Sequence, residues 1–311
     1  MLPVSAARDS LYFTAMASMW ALNYPLLKIA LMYEAPLFVL FFRVLFGAVF
    51  SVAMIGGIRN FPRGLRDNVL IMMTGLMNSA LFMGLWFLGE NTESASLSSI
   101  IIYTFPIINV VLSYLFLGES ITRFRAGGIA IGFAGLLIIF ANQISVRLNT
   151  GLIYLVAAAI IWSVSAVIYK RYLNGRDVGA VNAMQFVYAV PFVLVWAAST
   201  ERFVPAGINT VFLAIMLYMG FFGSAVAYLV YFTLIRRYDV SQISGMFFLV
   251  PALSVIFSFL LLHETNSIYT YTGLALISLG IYTGSRRGSG EELNELLSEE
   301  IAAVEKGIRK L

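Results

Sequence analysis

The chain reads as ten apolar blocks of about 20 residues separated by short polar joints. By number the blocks are 10–31, 36–57, 69–89, 94–117, 124–141, 151–172, 179–198, 210–235, 241–262 and 269–285. A helix rising 1.5 Å per residue needs about 20 apolar residues to cross a hydrocarbon core of about 30 Å. Each block is therefore predicted as a membrane helix, because a helix satisfies its own backbone hydrogen bonds in lipid. The joints carry breaking residues: Gly56, Gly57 and Pro62, then Asn142 and Gln143, Asn174 and Gly175, Pro205 and Asn209. Such short joints predict that neighbouring helices run antiparallel.

The blocks also repeat. Residues 102–122 match residues 247–267, pairing Pro106 with Pro251, Ser113 with Ser258, Leu115 with Leu260 and Glu119 with Glu264, all 145 positions apart. Gly128 with Gly273, Gly135 with Gly280 and Ser79 with Ser224 keep that offset. Earlier pairs are 142 apart: Trp20 with Trp162, Lys28 with Lys170 and Arg43 with Gln185. The repeat unit is five helices. Five is odd, so the second copy is expected to enter the membrane upside down, with a substrate site near the midplane between the halves.

Composition and charge sharpen this reading. The sequence is 60% hydrophobic and 12% charged, with mean hydropathy +0.88, against roughly 45–50% and about 25% in a soluble domain. With a cytoplasmic N-terminus, sixteen lysines and arginines fall on inner segments and only Arg147 and Arg202 on outer ones. That bias predicts cytoplasmic N and C termini, and it accounts for the net charge of +4 without nucleic acid. There is no cysteine, which excludes disulfides, thiol catalysis and cysteine-ligated metals. Residues 1–10 show no cleavage-site pattern, so no removable signal peptide is expected. The 287–311 tail is polar with an apolar stripe at helical spacing, a predicted cytoplasmic amphipathic helix. It is solvated, self-associating as in a homodimer, or bound to the membrane or a cytoplasmic partner.

Polar and aromatic residues inside the blocks are the candidate chemistry. Arg43 lies within the second block, where arginine costs about 2.5–3.5 kcal/mol at mid-span. It either holds a substrate carboxylate, pairs with Glu34, Glu90 or Glu93, or snorkels outward. Lys28 and Lys170 lie near helix ends, where snorkelling is the default. Asn23, Asn78, Asn109 and Gln185 suit interhelical hydrogen bonds, worth about 0.6 kcal/mol each. Trp20, Trp86, Trp162, Tyr103, Tyr228 and Tyr231 either wall a cavity or merely pack. Pro106 and Pro251 fall near mid-membrane, and each is expected to bend its helix, beside the substrate or as an ordinary packed kink. Glu119 and Glu264 read as helix-end anchors. No acidic residue lies deep within a block, so no carboxylate relay is expected. Gly128 with Gly132, and Gly280 with Gly284, form close-packing GxxxG spacings. The sequence has no metal-binding HExxH, no phosphate loop and no aspartate-rich diphosphate site, so no enzyme, metal or cofactor is expected.

Taken together, the motif WALNYPLLKIAL from Trp20, Arg43, and Pro106 followed by Gly118-Glu119 and a glycine-rich helix resemble the EamA domain. Pro251, His263-Glu264 and Gly273 resemble a second one, with His263 in place of the usual glycine. The resemblance implies an all-α membrane protein of the drug/metabolite transporter superfamily, with ten transmembrane helices as two inverted five-helix repeats. The expected divisions are 1–143, 150–286 and the 287–311 tail. In that family helices one, three, four, six, eight and nine surround a central cavity, which implies Trp20, Asn78, Tyr103, Trp162, Tyr228 and Phe248 as lining. The expected function is alternating-access transport of small metabolites across the cell (inner or plasma) membrane, with export of amino acids or similar amphipathic compounds. A nucleotide sugar or a drug is the alternative cargo; a membrane-embedded lipid enzyme or a scaffold is the alternative class.

Overall fold

The computed structural model describes residues 4–57, 61–62, 64–141, 149–263 and 267–284. Glu264 and the 287–311 tail lie outside the described residues. The first two blocks are α1 (Val4–Ala30) and α2 (Pro36–Met54). The third runs through α3 (Leu65–Gly75), a π-helical segment Leu76–Phe82 and α4 (Met83–Thr92). The fourth divides into α5 (Ala95–Ile102) and α6 (Phe105–Leu117), and α7 (Arg123–Ala141) follows. Beyond it come α8 (Thr150–Ile168) with a π turn Tyr169–Leu173, then α9 (Val178–Thr200). Next is α10 (Thr210–Gly220), joined by a π segment Phe221–Val226 to α11 (Ala227–Arg237). The chain continues through α12 (Val240–Ser244), a 3-10 turn Gly245–Phe248, α13 (Leu249–Leu262) and α14 (Ile268–Gly284).

Among the described residues, seven helical stretches are long and apolar enough to cross a membrane: Pro36–Met54, Leu65–Thr92, Ala95–Leu117, Thr150–Leu173, Val178–Thr200, Thr210–Arg237 and Val240–Leu262. This is an all-α, multi-span membrane protein. The polar joint residues start its helices. Asn209 Oδ1 accepts the Phe212 amide at 2.9 Å, Asn149 Oδ1 that of Leu152 at 2.9 Å, and Asp177 Oδ1 that of Ala180 at 2.7 Å. Each satisfies a donor that the first helical turn leaves unpaired.

The bends at the two prolines take the form of restarts. After Ile102 the backbone makes a turn at Tyr103 and Thr104, and Pro106 falls in the first turn of α6. Pro251 is the third residue of α13, just past the 3-10 turn. A first turn needs no proline N–H, so both bends avoid the cost of proline in a helix interior.

Lys28 and Lys170 have their ammonium groups fixed at helix ends. Lys28 Nζ donates to the carbonyls of Glu90 (2.8 Å) and Glu93 (2.6 Å) at the end of α4. Lys170 Nζ donates to those of Ile235 (2.7 Å) and Tyr238 (2.9 Å) at the end of α11. A cation there satisfies orphan carbonyls and complements the helix dipole. Glu119 does the reverse, accepting the Val240 and Ser241 amides at the start of α12. At the start of α2, Glu201 accepts the amides of Leu37 and Phe38; burial pushes its carboxyl up, against the pull of these two amides.

Matched residues meet crosswise. A Cβ on Gly128 would stand 2.6 Å from the Gly280 carbonyl, and one on Gly135 would stand 2.6 Å from that of Gly273. Backbone touches backbone along α7 and α14, as glycine spacings permit. Likewise Asn109 Nδ2 donates to Ser244 Oγ at 3.3 Å, while Ser254 Oγ donates to Ser99 Oγ at 2.8 Å. The main core gathers side chains from α1 to α6 and α8 to α13, and a smaller cluster forms between α7 and α14.

Candidate functional site

The main core contains a narrow, largely aromatic cavity. Its walls are Trp20 and Tyr24 from α1, Arg43 from α2, Phe82 and Trp86 from the third span, Ile102, Tyr103 and Phe105 around the α5–α6 break, Trp162 from α8 and Tyr228 from α11. Free space within it is about 20 Å³, on the order of one water molecule. A metabolite therefore enters only by displacing side chains.

The aromatic rings of the wall meet tilted or edge to face. Trp20 lies 5.5 Å from Trp162 at 85° and 5.3 Å from Tyr228 at 68°. Phe82 lies 4.6 Å from Trp162, and Tyr24 lies 4.7 Å from Trp86. Such pairs add about 0.5–1.5 kcal/mol beyond burial. Trp20 is anchored further, its Nε1 donating to the Gly223 carbonyl at 3.1 Å. The π segment brings Gly223 there, and a Cβ on it would meet the Asn23 side chain at 2.5 Å.

Arg43 is 1% exposed, so it does not snorkel. Its Nε donates to Ser224 Oγ at 3.1 Å and its Nη2 to the Gly223 carbonyl at 3.4 Å. The guanidinium stands 5.1 Å over the Trp86 ring and 5.6 Å over that of Phe87, a cation–π arrangement that is stronger when desolvated. Among the described residues Nη1 is buried and has no hydrogen-bond partner. Two of the proposed acidic partners are engaged elsewhere: Glu34 accepts the Val204 amide, and Glu93 accepts from Asn149 Nδ2.

Of the ten residues proposed for the cavity, Trp20, Arg43, Trp86, Tyr103, Trp162 and Tyr228 lie together on its wall. Asn23 packs on Gly223, and neither of its amide atoms has a partner among the described residues. Asn78 and Gln185 sit off the wall in a buried chain. Asn78 Nδ2 donates to Gln185 Oε1 at 3.0 Å, Gln185 Nε2 to Asn182 Oδ1 at 3.0 Å, and Asn182 Nδ2 to the Ala225 carbonyl at 2.8 Å. Phe248 belongs to the α7–α14 cluster, where a Cβ on Gly132 would touch its ring. Its neighbour Phe247 faces the site, stacked 6.0 Å from Trp20 and edge-on 5.2 Å from Phe105.

Sequence reasoning missed Phe247 and Asn182, and named Glu90 only as a possible partner of Arg43. Asn182 was visible as an amide inside the seventh block. Glu90 was taken to lie just past the third block, yet the helix carries on through Thr92 and buries it completely. Glu90 thus sits buried in the last turn of that span, and its Oε2 accepts the Trp86 Nε1 proton. No group of three or more metal-ligating side chains occurs among the described residues.

Known proteins resemble this chain over most of its length. An uncharacterized transporter of Bacillus subtilis (strain 168), YvbV, is 29% identical over 301 residues, covering 95% of this chain and 97% of the relative. A probable amino-acid metabolite efflux pump of Escherichia coli (strain K12) is 22% identical over 288 residues, covering 88% and 94%. A crystal structure shares the fold with a TM-score of 0.71 at 18% identity, covering 88% of this chain and 97% of that one. The profile of the EamA-like transporter family matches residues 9–141 and again 149–285. The chain therefore belongs to the EamA-like transporter family of the drug/metabolite transporter superfamily, as a multi-pass cell-membrane carrier of small molecules and not an enzyme.

Proposed function

We propose that this carrier moves amino acids, or related compounds with a carboxylate and an apolar body, outward by alternating access. The carrying observation is Arg43: a buried guanidinium on an aromatic cavity wall with an uncommitted Nη1. The rings receive the apolar body, and Nη1 receives a carboxylate in a charge-assisted bond. The amino-acid metabolites named for the Escherichia coli relative are of this chemical kind. In this reading residues 1–143 and 150–286 form two inverted halves of five transmembrane helices, with cytoplasmic N and C termini. The crosswise contacts between Gly128 and Gly280, and between Gly135 and Gly273, support it, because a two-fold axis exchanges them.

Counterflow of radiolabelled phenylalanine and leucine into proteoliposomes tests the cargo. The wild-type protein exchanges them. Arg43→Gln lowers exchange at low substrate by about ten- to a hundredfold, as loss of a hydrogen bond to a charged group implies. Absence of counterflow with every amino acid tried overturns the reading.

A further inference from the structure

Arg43 and Glu90 are opposite charges buried at one indole. The guanidinium lies over the Trp86 ring, and the carboxylate accepts that ring's N–H. Each is 1% exposed or less, and both engage the one Trp86 side chain. Their counterparts in the second half are neutral: Arg43 matches Gln185 at an offset of 142, and Glu90 matches Ile235 at an offset of 145. Both counterparts are fully buried too. The same position in the fold is thus filled by an amide and an alkyl group, and the scaffold does not require the charges. A buried ion pair seldom adds stability over neutral residues of similar size. Arg43 moreover keeps Nη1 uncommitted on the cavity wall.

We infer that Glu90 is a specificity-determining residue that makes the cavity selective for zwitterions. The inference rests on the amino-acid reading above. With Glu90 and Glu93 ionised, their two negative charges offset Arg43 and Lys28, whose ammonium sits on the Glu90 and Glu93 carbonyls, so the empty site is balanced. A substrate carrying a carboxylate and an ammonium group keeps it balanced. A monoanion of the same shape leaves one uncompensated negative charge in a buried site, and an amine leaves one uncompensated positive charge; both are penalised. Glu90 exerts this through Trp86, since it stands behind that ring and is absent from the cavity wall. Its role is therefore to set the field at the site, and Arg43 makes the contact.

Three probes of one shape test this: phenylalanine, phenylpropionate and phenethylamine, each measured by thermal stabilisation of the purified protein and by inhibition of phenylalanine counterflow. The wild type prefers phenylalanine. Glu90→Gln shifts the ratio of phenylpropionate to phenylalanine affinity upward by about tenfold or more, the scale of one charge-assisted interaction. Arg43→Gln, which installs the residue found at position 185, shifts the ratio of phenethylamine to phenylalanine upward by a similar factor. An unchanged ratio in a folded Glu90→Gln protein overturns the inference. Should that variant not fold, an unchanged ratio in Arg43→Gln does the same. If both single variants unfold, the pair is structural and the assignment is wrong, whatever the double variant does. Failure of the amino-acid reading looks different, because there the wild type shows no counterflow at all.

Discussion

The two halves of this carrier agree in their backbone devices and disagree in their buried charges. The π segments Leu76–Phe82 and Phe221–Val226 fall at matched positions, as do the breaks ahead of Pro106 and Pro251. Lys28 and Lys170 satisfy matched carbonyls, because Glu90 and Glu93 correspond to Ile235 and Tyr238. Gly118 and His263 both end their helices in the left-handed region. Yet Arg43 faces Gln185 in the correspondence, and Glu90 faces Ile235. What recurs is what each of the two family-matched segments needs to close its helices and to pack. Two of the buried charges that do not recur, Arg43 and Glu90, meet at Trp86 on the wall of the cavity. The internal repeat thus acts as a control within one molecule, separating residues that build the fold from residues that carry its chemistry.

The largest expected effect comes from breaking a shared device. Gly135 packs directly on the backbone of α14, and a Cβ there would also stand 2.9 Å from the Ile277 nitrogen. Gly135→Leu forces the two helices apart and is expected to cost about 3 kcal/mol or more, at the upper end for overpacking. Size-exclusion chromatography and thermal unfolding in detergent should show aggregation or a large loss of stability. Gly127→Leu is the matched control, since nothing lies within 4 Å of a Cβ at that position. If both variants behave alike, close glycine packing does not hold α7 to α14.

The paired lysines come next. Lys28→Met and Lys170→Met each leave two carbonyls without a charged donor, at about 1.5–3 kcal/mol apiece for such bonds. If the two halves are equivalent in backbone terms, the two variants should lose similar stability in a thermal melt. A loss confined to one lysine would break the equivalence and make the other merely an ordered surface cation.

Much of this was legible in the sequence because it depends on length and spacing. Apolar runs of 20 residues mark spans, and the 145-residue offset pairs Pro106 with Pro251 before any coordinates exist. Trp20, Arg43 and Trp162 were legible as polar or amphipathic groups where lipid rewards neither. Direction was not legible. Phe247 and Phe248 are both apolar in an apolar run, and only the local helix phase decides which of them faces Trp20. In lipid both faces of a helix are apolar, so a hydrophobic pattern cannot orient it. Glu90 was lost to a boundary, because a carboxylate near a block's end reads as a terminus until the helix is seen to continue past it. Asn78 and Gln185 were recognised as interhelical residues, but that they bond to each other and not to a ligand depended on how α9 packs on the π segment.

The smallest effect lies at a shared position where the halves differ in residue. Gly118 ends α6 with φ of 69°, and His263 ends α13 with φ of 53°. Glycine adopts this region freely, whereas a residue with a Cβ is strained there by roughly 1–2 kcal/mol. Part of any relief is returned, because glycine also gains freedom in the unfolded chain, worth about 0.4–1 kcal/mol. His263→Gly should therefore stabilise by about 0.5–1 kcal/mol, seen as a small rise in melting temperature. Gly118→His should do the opposite and cost slightly more, since it adds the strain to a helix end that lacks it. A fall in stability for His263→Gly would mean that the imidazole makes a contact worth more than the strain. It would then be the second half, in this one place, that carries a side chain the first half does without.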